Sequence, residues 1–326
     1  MTGTTSLDPA AAERGFEQHR AELTAYCYRM LGSAFEADDA VQETLVRAWR
    51  GFDRFEGRAA LRSWLYRIAS NVCFDMLKGR RRRALPGDFM AVGRADGPVD
   101  PPTNEIPWVG PLPDRHVVPS TSDPAEAVEI RESVRLAFVA ALQHLPARQR
   151  AVLILREVLK WKASEVAELL DTTVVSVNSA LQRARATLAE HNVTAGTVSD
   201  AVDAAQEELL ARYVDAFERF DIEALVSLLH EDVTMQMPPY PLWLRGADEY
   251  RTWLNGPGRG CYGSRLARIE ANGMPAFAQW RADPEGGFTA WAIHVLTISG
   301  GAITAQDFFV DPGLFALFDL PVHLDA

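Results

Sequence analysis

The sequence predicts a multidomain chain: two all-α domains separated by a proline-rich linker, followed by a C-terminal α+β domain. Three observations lead there. Phe16–Arg83 contains no proline and carries apolar residues at helical spacing. Nine prolines, from Pro86 to Pro124, then crowd into Ala84–Ala125, a composition that favours extended or irregular chain over helix. Beyond about His230 the pattern becomes short runs of alternating apolar residues, with Gly286-Gly287 and Gly300-Gly301 as hairpin turns of an antiparallel meander. The expected divisions are an N-terminal tail over 1–15, helical domains over 16–84 and 129–192, a linker over 85–128 and an α+β domain over 200–326.

Composition narrows the function classes. Of 326 residues, 48% are hydrophobic and 24% charged, which is ordinary for a soluble globular protein. No apolar run approaches the roughly 18 residues of a membrane span, and Met1–Gly15 lacks a signal-peptide core, so a cytoplasmic protein is expected. Three cysteines without CxxC spacing and seven scattered histidines suggest free thiols, with no metal or cofactor. The net charge of −11 is unevenly distributed: residues 1–83 carry +3, 84–128 carry −5, 129–192 carry +2 and 193–326 carry −11. Nucleic-acid affinity follows local cation clusters, so the two basic blocks remain candidates for it.

In the first block, Asp38–Trp49 reads as a helix with Ala37, Val41, Leu45 and Ala48 inward. Asp39, Gln42, Glu43 and Arg47 lie outward, a face that by itself reads as solvated surface. Phe52–Ala60, containing Phe55 and Arg58, breaks the helix before Leu61–Leu77. There Trp64, Ile68, Val72 and Met76 form the expected core stripe, leaving Arg62, Arg67, Asn71, Asp75 and Lys78 opposite. Rings interleaved with arginines suit unstacked bases and a nearby phosphate chain. The run Lys78–Arg83 places five cations, Arg80 and Arg81 among them, at the helix end, where phosphate contact competes with a plain solvated tail.

The second block opens with Asp123 as a helix cap and Pro124 at the first helical position. Leu145–Leu188 holds two short amphipathic helices, Ala163–Leu170 and Val174–Leu188, separated by Asp171, Thr172 and Thr173. Val177, Leu181, Ala184 and Leu188 make one buried stripe; Ser176, Ser179, Gln182, Arg183 and Arg185 make the opposite one, without an acid. Thr173 is placed to cap the second helix and turn its N-terminus into an anion site. This is the pattern of a DNA-reading helix-turn-helix, although an ordinary helical hairpin shares it.

The last block predicts helices over Ala201–Phe220 and Ile222–His230. Strands follow over Val233–Met237, Tyr262–Ala271, Ala276–Arg281, Phe288–Ser299 and Ala302–Val310. Alternation puts His294 and Asp307 on one concave face with Trp280, and Tyr240, Trp243, Trp253 and Trp291 supply apolar walls. Three readings stay open: a proton-transfer pair, a hydrogen-bonded polar pair inside a barrel, and a pocket for a small ligand.

Taken in order, DDAVQETLVRAW, FEGRAALRSWLYRIASNVCFDMLKGRRRR and LPARQRAVLILREVLKWKASEVAELLDTTVVSVNSALQRAR resemble regions 2 and 4 of bacterial sigma factors of the extracytoplasmic-function group, over about 60% of the chain. The resemblance implies a promoter-specificity subunit whose partners are promoter DNA and the polymerase core, through its β′ clamp and β flap. It assigns Asp39, Gln42, Glu43 and Arg47 to the core. Phe55, Arg58, Arg62, Arg67, Asn71, Lys78, Arg80 and Arg81 fall to the −10 element. Thr173, Ser176, Ser179, Gln182, Arg183 and Arg185 fall to the −35 element. Asn178 and Ala180 stand where such proteins often carry Lys or Arg, so the −35 sequence does not follow by analogy. The tail resembles the SnoaL-like polyketide cyclase fold, a cone-shaped α+β barrel, with Ile106–Asp114 and Met237–Gly246 similar to a subgroup that fuses it to a sigma factor as a regulator. There Trp280, Trp291, His294 and Asp307 are the pocket candidates. The alternative is a bifunctional protein whose tail is a cyclase- or isomerase-type enzyme.

Overall fold

The structure, a computed structural model, describes residues 9–55, 60–88, 90–103, 105–119, 122–190 and 204–325. The chain divides into two compact units, Met1–Arg80 with Arg115–Thr194, and Arg81–Asp114 with Ala195–Ala326. None of the described helices is long and apolar enough to cross a membrane.

The first unit is all helical. Helices α1 (Pro9–Glu17), α2 (Arg20–Leu31), α3 (Ala34–Gly51) and α4 (Leu61–Leu77) make one layer of packing, with α2 buried from Leu23 to Leu31. Ser33 caps α3 by accepting from the Glu36 amide at 3.4 Å. The buried stripe of α4 is Leu65, Tyr66, Ala69, Ser70, Val72 and Cys73, so of the four expected core residues only Val72 is buried. The helix is rotated because its polar groups find partners inside. Tyr66 Oη donates to Glu22 at 3.1 Å, and Ser70 shares a 2.7 Å hydrogen bond with Tyr26. Trp64 turns instead to a ring cluster, 4.9 Å from Phe55 and 6.4 Å from Phe16.

Helices α5 (Pro124–Ser133), α6 (Leu136–Leu142), α7 (Ala147–Leu153), α8 (Ala163–Leu169) and α9 (Val174–Glu190) complete the unit. Asp123 caps α5, accepting from the Ala125 amide at 2.7 Å beside Pro124. Two buried guanidiniums join these helices to the first four. Arg150 donates to the carbonyls of Met30 and Leu145 and to the Gln143 side chain at 2.6 Å. Arg29 donates to the Ser133 carbonyl at 3.2 Å and to Ser133 Oγ at 2.9 Å. Each sits among carbonyls near helix C-termini, the negative ends of their dipoles, and burial pulls both arginines down to about 10.

The second unit opens with α10 (Ala204–Glu218) and α11 (Ile222–Val226). It continues with β1 (Leu229–Gln236), β2 (Trp243–Arg245), α12 (Ala247–Asn255), β3 (Arg265–Ala271), β4 (Met274–Ala282), β5 (Phe288–Ser299), β6 (Ala302–Phe309), α13 (Leu314–Leu317) and β7 (His323–Leu324). The sheet order is β2-β1-β6-β5-β4-β3, with β7 on β5. The meander β3–β4–β5–β6 is as expected, but β1 joins β6 in parallel, and α12, β2, α13 and β7 are additions to the expected elements. Gly300 and Gly301 both take positive φ between the paired Ser299 and Ala302, a type I′ hairpin. Asn272-Gly273 does the same between Ala271 and Met274.

Among its described residues the proline-rich segment has no long helix, as its composition requires, and Arg81–Asp114 is pinned to this unit. Asn272, wholly buried, accepts from the Leu112 amide through Oδ1 and donates its own amide to the Leu112 carbonyl, both at 2.9 Å. The Gly273 amide reaches Asp114 Oδ1 at 2.8 Å, Gly87 donates to Gln236 Oε1 at 2.8 Å, and Ala95 donates to Glu249 at 2.7 Å. Asn272→Ala strands the buried Leu112 amide and puts alanine at positive φ. It is expected to destabilise this unit by roughly 2–4 kcal/mol and to accelerate proteolysis within Arg81–Asp114. A urea midpoint and a cleavage rate equal to the parent's would contradict the pinning.

Candidate functional site

Three surfaces of the first unit gather the expected binding residues. On α3, Asp39, Gln42, Glu43 and Arg47 are all exposed. They are held in register by hydrogen bonds from Arg47 to Glu43 at 2.7 Å and Asp75 at 3.3 Å, and from Gln42 to Asp38 at 2.8 Å. Sequence reading missed the apolar half of this face. Val46 and Trp49 are 42% and 50% exposed and line a shallow hollow with Phe16, Leu45 and Arg50. Their i+4 and i+3 spacing from Gln42 and Val46 was the available signal. An apolar patch rimmed by charge suits a protein partner better than solvent.

On α4, Arg67, Asn71, Asp75 and Lys78 are exposed. Arg62 is not free: it is bound to Glu22 at 2.6 Å and lies 5.3 Å from the ring centroids of Tyr66 and Trp161. Arg67 donates to the Glu168 carbonyl at 3.0 Å, so two of these cations are engaged by the helices that follow Arg115. Arg80 pairs with Glu36 at 2.6 Å and Phe55 stacks on Phe52 at 6.1 Å, while Arg81, also exposed, is the first residue of the second unit. Arg58 lies outside the described residues.

The helix-turn-helix takes the expected form. Val177, Leu181, Ala184 and Leu188 are the buried stripe of α9. Thr173 Oγ1 accepts from the Ser176 amide at 3.1 Å, leaving the other first-turn amides available to an anion. Ser176, Gln182, Arg183 and Arg185 are exposed, Ser179 is half-buried, and Arg185 pairs with Glu157. Val175, 75% exposed at the start of the helix, is an apolar group on the same polar surface that sequence reading left out.

In the second unit the four pocket candidates separate. The register pairs His294 with Phe308 and Val295 with Asp307, so His294 and Asp307 point to opposite faces of the sheet. His294 is buried, with Nδ1 3.1 Å from Tyr213 Oη and Nε2 2.9 Å from Gln279 Oε1. Burial pushes its pKa down to about 3. Asp307 instead accepts from Gln236 Nε2 at 3.1 Å, the same side chain that receives Gly87. Trp280 packs on Phe315 and donates to the Pro321 carbonyl at 2.9 Å. Only Trp291 of the four lines the cavity of this unit, whose inner walls include Phe217, Met235, Trp253 and Phe308. Simple alternation failed because a bulge between Thr297 and Ile298 shifts the β5–β6 register. Among the described residues, no group of three or more His, Cys, Asp or Glu is placed to hold a metal ion.

Comparison with known proteins agrees with this division. Residues 16–83 match Sigma-70 region 2, residues 135–188 match Sigma-70 region 4, and residues 210–306 match the SnoaL-like domain. The chain is 43% identical over 337 residues to the ECF RNA polymerase sigma factor SigG of Mycobacterium tuberculosis, covering 99% of this chain and 89% of that one. It is 26% identical to SigJ of the same organism, covering 92% of each. The crystal structure of SigJ superposes over 95% of this chain and 99% of that one with a TM-score of 0.59 at 22% identity, a likeness of fold.

Asp307 makes the second unit sensitive to pH. Burial first, and then the charge of Asp88, push its pKa up to about 7 against the Gln236 hydrogen bond. The folded unit therefore holds this proton more tightly than the unfolded chain. Its contribution to stability falls as pH rises from about 4 to about 7 and is level above that. Asp307→Asn is expected to remove this slope and to raise stability at pH 8 by on the order of a few kcal/mol. Urea midpoints at pH 4.5, 6 and 8 are the measurement, and parallel profiles for both proteins would refute it.

Proposed function

The chain belongs to the ECF RNA polymerase sigma factors, and from that premise we propose how its surfaces divide promoter-specific initiation. Asp39, Gln42, Glu43 and Arg47, with Val46 and Trp49 as apolar anchors, dock on the β′ clamp of the polymerase core; the second helical block takes the β flap. Arg62, Arg67, Asn71 and Lys78, with Phe55 and the Arg80–Arg81 cations, receive the −10 element. The α9 helix reads the −35 element. Its two-sided character carries the proposal: one stripe is buried, and the opposite one is exposed, acid-free through Arg185 and led by a capped N-terminus. Val175 adds a surface for a thymine methyl group.

The contacts of Arg62 with Trp161 and of Arg67 with Glu168 cover part of the −10 surface. Promoter binding exchanges them for phosphates and bases, so a core that holds the two helical blocks apart favours the DNA-competent arrangement. The fused SnoaL-like unit serves as a regulatory module rather than a catalyst. Both ring nitrogens of His294 are engaged by neutral side chains, and Asp307 faces away from it. Its hold on the Arg81–Asp114 segment gives it leverage on the two promoter-reading blocks.

Two measurements test the division. Charge reversal at Asp39 and Glu43 is expected to weaken binding to core polymerase while shifting stability by only about 0.5 kcal/mol; undiminished capture of core by that variant would sink the docking surface. Gln182→Ala is expected to cost roughly 1–3 kcal/mol and to relax one −35 position in a binding selection, as loss of a bidentate base contact does. Equal weakening on every −35 sequence would instead make Gln182 a backbone contact.

A further inference from the structure

Trp161 stands just ahead of α8, and the chain before it takes an irregular course that aims its ring at α4. Helix α7 runs on into a π-turn over Ile154–Val158, where the Leu159 amide reaches back to the Ile154 carbonyl at 2.9 Å. Lys160 then takes a φ of 58°, a left-handed conformation that a lysine adopts only at a cost. The Trp161 amide bonds to the Leu155 carbonyl at 2.9 Å, and Arg156 donates to the Trp161 carbonyl. Strain of this kind persists where the surrounding structure requires one side chain in one place.

The ring arrives at a corner built entirely by the first four helices. Its centroid lies 5.3 Å from the Arg62 guanidinium carbon and 5.1 Å from the Tyr66 centroid, and Arg62 lies 5.3 Å from Tyr66. Both walls of the corner are fixed from α2. Glu22 accepts from Arg62 Nε at 2.7 Å and Nη2 at 2.6 Å, and from the Tyr66 hydroxyl at 3.1 Å; its other oxygen meets His19 Nδ1 at 2.5 Å. The corner therefore keeps its shape when the second block moves away. A planar cation beside an aromatic face is a surface on which an unstacked nucleobase sits.

Trp161 fills this corner at a polar cost. Among the described residues its indole Nε1 is buried with no hydrogen-bond partner, and so is Arg156 Nε in the same turn of chain. A buried indole N–H ordinarily finds an acceptor; this one gains a partner, water, only by leaving. The neighbouring contact has the same character. The Glu168 carbonyl of α8 receives Arg67 at 3.0 Å, an oxygen acceptor on a cation suited to a phosphate oxygen.

We propose that Trp161 is an internal stand-in for a nucleobase, occupying the seat beside Arg62 and Tyr66 that one unpaired base of promoter DNA takes once the helical blocks part. The inference rests on the assignment of α4 to the −10 element. It adds a base seat, the occupant of that seat in the closed chain, and the segment that vacates it. Opening exchanges one flat ring for another, so the seat is withheld from indiscriminate single strands until the second block is drawn off.

Two fluorescent strands of equal charge separate base from phosphate: a thymidine decamer and its fully abasic counterpart. Anisotropy with the full chain is expected to show little preference between them, because Trp161 fills the seat. Trp161→Ala should bind the thymidine decamer about 5- to 100-fold more tightly than the abasic one, the usual worth of one stacked base. Adding Arg62→Lys, which keeps a charge for Glu22 but loses the flat face, should remove most of that preference. An equal ratio of the two affinities in the parent and in Trp161→Ala overturns the proposal. With core polymerase bound, Arg62→Lys alone should lower the ratio relative to the parent holoenzyme; an unchanged ratio there overturns it without any change at Trp161. Lys78→Ala tells the two readings apart. If it weakens both decamers alike while no base preference exists, the seat is wrong and the −10 surface stands. If neither Lys78→Ala nor Arg62→Lys affects either decamer, the surface falls with the seat.

Discussion

Two arginines that, among the described residues, are buried without a carboxylate, Arg29 and Arg150, join the first four helices of the helical unit to the rest, and the placement of its surfaces depends on that junction. Their partners are carbonyls at the ends of α2, α5 and α6 and the side chains of Gln143 and Ser133. Each guanidinium gives up hydration to enter this junction and recovers much of it through charge-assisted bonds, so the balance is close. Arg29 Nη1 and Arg150 Nε remain buried with no partner, which tips it further towards opening. A purely apolar interface would expose its surface to water on separation. This one exposes groups that water solvates well. The junction is thus specific in geometry and modest in net strength, which the proposed parting of the helical blocks on a promoter requires.

The same junction explains why the proposed −10 surface is partly masked. The carbonyl that receives Arg67 lies at the end of α8, and the ring over Arg62 lies just before that helix. The Arg67–Glu168 and Arg62–Trp161 contacts are an exposed and a stacked one, of the kind that contribute about 1 kcal/mol, whereas Arg62 also keeps its partly buried pair with Glu22. Phosphates compete with such contacts easily.

The all-α character of the first two domains and the two sides of α9 were legible in the sequence because a 3.6-residue period needs only local information. The outer face of α3 was legible for the same reason, but only in its polar half: Val46 and Trp49 fall on neither of the two faces that the period defines. The orientation of α4 was hidden, since nothing local says that Tyr66 and Ser70 find buried partners on α2. Strand registers were hidden more deeply. Alternation correctly placed β5 and β6, yet one bulge at Thr297 put His294 and Asp307 on opposite faces, and one near Trp280 brought Trp291 to Arg281. Composition showed that Ala84–Ala125 is not helical without revealing where it is held. Asn272-Gly273 announces a hairpin in any sequence; that its asparagine also grips Leu112 is a tertiary fact.

That grip bears on promoter spacing. The chain leaves the helical unit after Arg80 and re-enters it at Arg115, so every residue between them that stays bound shortens the tether between the −10 and −35 readers. At roughly 3.3–3.6 Å per extended residue, freeing a run of ten adds at most about 35 Å of reach. The SnoaL-like unit is in this sense a spool. Chain held on that unit is chain that does not lengthen the connection between the two helical blocks.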